Sequence, residues 1–274
     1  MNRMIRLVGK QYISACHRLY VMVLVLMAGI AGQPAGASDG YQVRYLVQWG
    51  NFNLGISEAV WQFDDTSVTM RGTSKPRGAF SAFADFEGMV ELRARKTQAG
   101  WRPDRLDLSS RDGDEIRDAS SVWSEDGKQV RTTRNPEIDE DIYFPLTDEM
   151  MRDVTAPFTV MLDMLDRLEA GQPCEGTFEI YDGWRRASLS FADLGTTTLK
   201  ADRPFGYSGE AQICGIISEP VGGHRRKSRF RNNEPEFDDI KAYIAAPFGA
   251  RLMPVRIEID LPIGSLIVRL DTDS

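Results

Sequence analysis

The chain has 274 residues, with 33 basic and 40 acidic side chains, two histidines and three cysteines. A formal charge of −7 leaves no basic footprint of the kind a general nucleic-acid binder needs. With 42% hydrophobic residues the chain is long and apolar enough to bury a sizeable core.

Residues 1–37 read as an export signal. Arg3, Arg6, Lys10 and Arg18 make a basic stretch without an acidic residue, Leu19 to Ile30 is an apolar run, and Ala35-Gly36-Ala37 is a small-x-small cleavage pattern before Ser38. The apolar run falls short of the roughly 20 residues a spanning helix needs. Cleavage near Ser38 is therefore the expectation, with an uncleaved anchor as the alternative. No later stretch is apolar enough to span, so the mature chain is expected to carry no transmembrane segment and to work in the periplasm. Cleavage removes four of the basic residues and none of the acidic ones, which makes the mature chain more acidic still.

From Ser38 onward the pattern is that of strands. Tyr41, Val43, Tyr45, Val47 and Trp49 alternate with polar residues, the period of a half-buried strand. Ala59, Trp61 and Phe63, then Val68 and Met70, continue a meander. Phe80, Phe83 and Phe86 are compatible with a helical turn or with the approach to a strand at 87–96. Gln98-Ala99-Gly100 turns the chain, and Asp112-Gly113 and Asp126-Gly127 are tight-turn dipeptides that bracket a strand at 115–124. Residues 135–154, with Pro136, Pro145 and the acids Glu137, Asp139, Glu140 and Asp141, read as an exposed crossover pinned by Tyr143, Phe144 and Leu146.

One helix is predicted near 155–170. Phe158, Met161, Leu162, Leu165 and Leu168 share a face, Thr155 is placed to cap, Pro157 suits the first turn, and Gly171 and Pro173 stop it. Next come a hairpin about Asp182-Gly183, short strands at Leu199 and Ile213, a basic loop from His224 to Arg231, and a closing hairpin in which Val255, Ile257 and Ile259 answer Leu266, Val268 and Leu270. The fold expected is mainly β (α+β): one β-rich domain over 38–274, built as a large curved antiparallel sheet or open half-barrel with one main helix packed on it.

Cys174 and Cys214 are the cysteines left after cleavage. An even count in an exported chain reads as a disulfide, and the pair lacks the Cys-x-x-Cys spacing of a redox or metal site. Closing a loop of about 40 residues would contribute about 4 kcal/mol.

The catalytic inventory is thin. His224 is the single histidine beyond the signal, no Gly-x-Ser-x-Gly elbow or phosphate-binding loop occurs, and the acids at 137–141 lack the spacing of a calcium loop. No catalytic residue, metal ligand or cofactor site is assigned. Arg225, Arg226, Lys227, Arg229 and Arg231 form a loop able to meet an anionic partner; the alternative is a charged loop balanced by Glu234, Glu236, Asp238 and Asp239.

Several stretches resemble the exported bacterial family known as domain of unknown function 3108. They are Leu165 to Gln172, Tyr181-Asp182-Gly183 with Arg185-Arg186, Pro220-Val221-Gly222-Gly223-His224, Pro254-Val255-Arg256-Ile257, and the Gly264 hairpin ending in Leu270. The resemblance implies a β-rich envelope domain and transfers no catalytic residue. At the level of the fold the pattern is also similar to the half-barrel carriers of lipoproteins in the bacterial periplasm. The expected function is non-enzymatic binding or carriage of a lipophilic or cell-envelope component. The alternatives are an envelope assembly factor acting through surface contacts on envelope proteins, and a carboxylate-based enzyme on envelope polymers.

Overall fold

The structure is a computed structural model that describes residues 39–82, 84–203, 205–226, 236–247, 249, 251–261 and 264–273. The stretch at 1–37 read as an export signal lies outside them, as does Phe83.

Seven strands come first: β1 (Asp39–Trp49), β2 (Phe52–Phe63), β3 (Ser67–Pro76), β4 (Phe86–Thr97), β5 (Gly100–Asp112), β6 (Glu115–Trp123) and β7 (Val130–Asn135). A crossover and one helix, α1 (Pro157–Glu169), follow. Six more strands complete the chain: β8 (Gly176–Tyr181), β9 (Arg186–Leu199), β10 (Gly209–Gly222), β11 (Ile240–Ala245), β12 (Met253–Leu261) and β13 (Gly264–Leu270). All join one antiparallel sheet in the order β7-β6-β5-β4-β3-β2-β1-β13-β12-β11-β10-β9-β8. The two meanders meet where β1 pairs with β13, Val47 opposite Val268. The sheet stays unclosed, with β7 and β8 as its edges.

Period-two patterning explains the two faces. Val43, Tyr45, Val47, Trp61, Val68, Met70, Val90, Leu92, Ile257 and Val268 point to one side and are buried in a single core. Their neighbours form cross-strand ion pairs on the other side, such as Arg44–Glu58 at 2.8 Å and Arg71–Glu91 at 3.2 Å. Of the three spaced phenylalanines, Phe80 lies in a one-turn 3₁₀ helix (Gly78–Ala82) and Phe86 opens β4.

The helix departs from expectation in two respects. Its N-cap is Ala156, not Thr155, with Pro157 in the first turn. Thr155 is engaged elsewhere: its N–H donates to Glu179 O (2.9 Å) and its carbonyl accepts from Tyr181 N–H (2.8 Å), a short parallel bridge to β8. The second difference is burial. The predicted face is buried at Phe158, Met161, Leu162 and Leu165, but so are Pro157, Thr159, Val160 and Met164. The first two turns are therefore enclosed on every side, the situation of a helix held inside a coiled sheet rather than laid upon one.

The last turns of α1 close one end of the sheet. Asp163 Oδ1 accepts from the Trp101 backbone N–H (2.7 Å), and Asp166 Oδ2 accepts from Trp101 Nε1 (2.9 Å) and Lys96 Nζ (2.6 Å). Glu169 Oε1 accepts from Leu252 N–H at 3.1 Å, and Arg251 pairs with Asp166 at 3.5 Å. Gly100 has φ 117°, and a Cβ there would lie 2.6 Å from Asp163 Oδ1, so only glycine lets the β4–β5 turn approach the helix.

Cys174 and Cys214 form a disulfide, both buried, which ties the α1–β8 connection to β10 across β9. Leu199 and Ile213, read as two short strands, belong to one long hairpin of 14-residue strands, β9 and β10. Its tip covers the outer face: Asp202 bonds Arg269 at 3.1 Å, and Phe205 O accepts from Thr272 N–H at 3.0 Å. That cover explains why Arg269, on the outward side of β13, is only 5% exposed.

Candidate ligand-binding site at the mouth of the sheet

The edges β7 and β8 face each other across a seam, and the crossover is strapped along it. Near the helix, Arg152 bridges Gln129 and Thr155 bridges Ile180. Midway, Met150 O accepts from Arg186 Nη1 at 3.1 Å. At the opposite end, Phe144 N–H donates to His224 O (2.8 Å), Gly223 N–H to Phe144 O (3.0 Å) and Arg226 N–H to Ile142 O (3.0 Å). The strap thus ends against the chain that leaves β10.

The β8–β9 turn fills the seam at that end. Asp182 Oδ1 accepts from Trp184 N–H (2.8 Å) and Arg185 N–H (2.7 Å), which shapes the turn. Arg134, on the inward side of β7, donates from Nε to Gly183 O (2.8 Å) and also bonds the Tyr181 hydroxyl. Burial pushes the Tyr181 hydroxyl above its ordinary pKa, and the Arg134 charge works against that rise. Gly183 packs against Ala119 and Ser121 of β6, where an added Cβ would lie 3.1 Å from the Ala119 Cβ.

A cation–aromatic cluster rims this mouth. Arg117 follows the inward parity of β6, in step with Ala119, Ser121 and Trp123. Its guanidinium lies 4.3 Å from the Trp184 ring centre and 5.5 Å from that of Tyr143. Arg225 lies 5.6 Å from the same Tyr143 ring, and Arg226 lies 4.8 Å from Phe144. The His224 ring packs on Phe144 with centroids 4.6 Å apart. The Arg117 ion pair is a loose one to Glu115 at 3.9 Å, and Glu115 is 68% exposed. Among the described residues, buried Nε atoms of both Arg117 and Arg225 have no hydrogen-bond acceptor. The aromatic faces hold the guanidinium planes, and the forked N–H edges are suited to an oxyanion.

Of the predicted basic loop, Arg225 and Arg226 are at this mouth, while Lys227, Arg229 and Arg231 lie outside the described residues. Arg226 Nε donates to Glu140 O at 2.9 Å. Arg225 and Arg226 form no ion pair with Glu236, Asp238 or Asp239, the described acids read as their balance. The acids at 137–141 are exposed, and no group of three or more His, Cys, Asp or Glu suited to a metal occurs among the described residues. Sequence reading missed Arg117, Tyr143 and Trp184 as partners of the loop. The usable signal was Arg117 itself, a charge at an inward position of an alternating strand.

A second concavity, of about 550 Å³, crosses the outer face of β3–β7. Its walls are two cross-strand rows, Thr73-Met89-Ser109-Asp118-Asn135 and Arg71-Glu91-Asp107-Ser120-Thr133. Hydrogen bonds from Arg93 and Arg71 hold the Glu91 carboxyl below its ordinary range. Burial works to raise the Asp107 carboxyl, but bonds from Arg105 and Ser120 outweigh it and hold it low as well. Neither is a proton donor near neutral pH.

Among the described residues a single sheet of thirteen antiparallel strands around one enclosed helix, left open at a seam, defines a β-barrel-like protein. A family model described as "Protein of unknown function (DUF3108)" matches residues 44–271, and the chain belongs to that family. Among solved structures it is similar to a β-barrel-like protein of domain of unknown function DUF1849 from Brucella abortus. The identity is 10%, the match covers 88% of this chain and 97% of the other, and the TM-score is 0.43. No curated protein sequence matches it. Among the described residues no helix is long and apolar enough to cross a membrane.

Proposed function

We propose that the protein is an exported, non-enzymatic binding protein of the periplasm that takes up a lipophilic cell-envelope component against the inner face of its sheet. The observation that supports this reading is the contrast between the two ends. One end is stopped by α1 and its bonds to Lys96, Trp101 and Leu252. The other is rimmed by rings and guanidiniums beside the apolar core. An acyl or isoprenoid chain taken up against this core would gain roughly 0.8 kcal/mol per methylene buried. The basic signal and the Ala35-Gly36-Ala37 pattern support the compartment.

Native mass spectrometry of protein purified from the periplasm of its own host tests the reading. A mass adduct that organic solvent extracts as a lipid is the expected result. A ligand-free protein that also fails to take up an apolar fluorophore would overturn it. Amino-terminal sequencing of the same sample is expected to begin at Ser38.

The outer groove favours a second reading, an envelope assembly factor working through surface contacts. Crosslinking from Met89, an exposed residue in the groove, is expected to capture one envelope protein if that reading holds.

A further inference from the structure

The arginines at inward or covered positions divide into two groups. Arg134 bonds Gly183 O and the Tyr181 hydroxyl. Arg186 has Glu179 and Met150 O, and Arg269 has Asp202 and Gln48. Arg256 has a buried Nε without an acceptor, but Glu258 and Asp202 meet its other nitrogens. Arg117 and Arg225 differ. Each has a buried Nε without an acceptor among the described residues, Arg225 forms no ion pair with a described carboxylate, and the Arg117 pair is at 3.9 Å to an exposed glutamate. Both guanidiniums lie against one ring, Tyr143. Leaving a buried charged donor without an acceptor is costly, and two such donors share one aromatic neighbour at this end of the sheet.

We infer that Arg117 and Arg225 form a phosphate-binding site at the mouth, so that the carried molecule is an amphiphile with a phosphate headgroup. The lipophilic half of this statement rests on the carrier reading; the anion site stands on the two arginines alone. Phosphate is preferred to carboxylate for its geometry. Two guanidiniums on separate segments, β6 and the chain that leaves β10, need an anion with oxygens directed to both, and a phosphate offers them while a carboxylate is used up by one fork. Trp184 holds the Arg117 plane, and the Phe144–His224 backbone pairing holds the chain that carries Arg225.

The test compares two probes with the same tail, dodecyl phosphate and dodecyl maltoside, each titrated calorimetrically below its micelle concentration against the full mature chain. The expected result is binding of dodecyl phosphate at least tenfold tighter. That preference should be lost in Arg225→Gln and reduced in Arg117→Lys, which keeps the charge but not the fork, and it should weaken with salt. Circular dichroism checks that both variants fold; should Arg117→Lys fail, Arg225→Gln, at the rim, carries the test. Equal binding of the two probes, or a preference that survives Arg225→Gln, overturns the phosphate site and leaves the carrier reading standing. If neither probe binds, the carrier reading falls, and inorganic phosphate is titrated while the arginine Nε–Hε resonances are followed by NMR. Shifts confined to Arg117 and Arg225 then uphold the anion site alone, and unmoved resonances overturn it too.

Discussion

Asp163→Asn is expected to stabilise the protein at neutral pH. The Asp163 carboxyl is half-buried where α1 meets the β4–β5 turn. Burial raises its pKa from 3.8 to about 6, the neighbouring Asp166 carboxylate adds to the rise, and the Trp101 N–H, Lys96 and Arg167 oppose it. A folded pKa above the unfolded one means that the native state holds a proton the unfolded state has released. Stability from this group is therefore full below about pH 4 and declines as pH rises to about 6. The shift has an upper bound of about 3 kcal/mol, and solvent at a half-buried group reduces it to about 1–2 kcal/mol. Asparagine can still accept from the Trp101 N–H through Oδ1 and carries no charge, so at pH 8 the variant should gain about 1–2 kcal/mol. Urea unfolding of both proteins at pH 4, 5, 6, 7 and 8 reads this directly. The two free energies should converge at pH 4 and separate as pH rises, with equal m-values. A constant difference across the range, or a variant that is weaker at pH 8, would refute the reasoning.

Three further outcomes follow from the packing. Replacing Cys174 and Cys214 together by serine frees a crosslink with a sequence separation of 40. The expected loss is about 4 kcal/mol in the chain-entropy model, on the order of 10 °C in a thermal melt of a chain this size; a shift under about 2 °C would contradict it. Gly223→Ala places a Cβ 2.0 Å from Trp184 O at a residue with φ 72°, so a loss of about 3 kcal/mol or more is expected, together with faster hydrogen exchange at 181–185. Asp202→Asn leaves Arg269, 5% exposed, without its carboxylate, at about 2 kcal/mol measured by chemical unfolding. Burial works to raise the Asp202 carboxyl, but the Arg269 bond and charge outweigh it and hold it below 3.8. Its contribution is therefore present at neutral pH and lost on acidification, and the variant's deficit should shrink at low pH.

Much of the scaffold could be read from the chain because it is written in local rules. The alternation from Tyr41 to Trp49 and from Val255 to Ile259 reports one buried face whatever the partner strand is. Pro157 and Gly171 mark the helix because they act on the backbone of their own turn. Cys174 and Cys214, the two cysteines outside the stretch read as a signal, had one intramolecular pairing open to them. Thr155 shows where local rules fail: a good capping residue lost that role because its backbone is used to bridge to Ile180, a choice made by chain 25 residues away. The full burial of α1 was equally invisible. An apolar stripe predicts one covered face, and covering Thr159 and Val160 as well requires the sheet to curl around the helix.

The candidate site was half legible. Arg225 and Arg226 stood out as a basic run, and Arg117 broke the inward pattern of its strand, but nothing in the sequence says that they share Tyr143. By itself the sequence determined most of the strands, the helix at 157–169, the main turns and the cystine, because propensity, periodicity and cysteine count act over a few residues or admit one solution; the length of β9 and β10 and the presence of β11 were not read from it. Tertiary structure decided the strand order, the unclosed seam between β7 and β8, the placing of α1 inside the sheet, and the meeting of Arg117 with Arg225. Those depend on how far a thirteen-stranded sheet twists and coils, and that curvature is a property of the whole sheet and of no single segment.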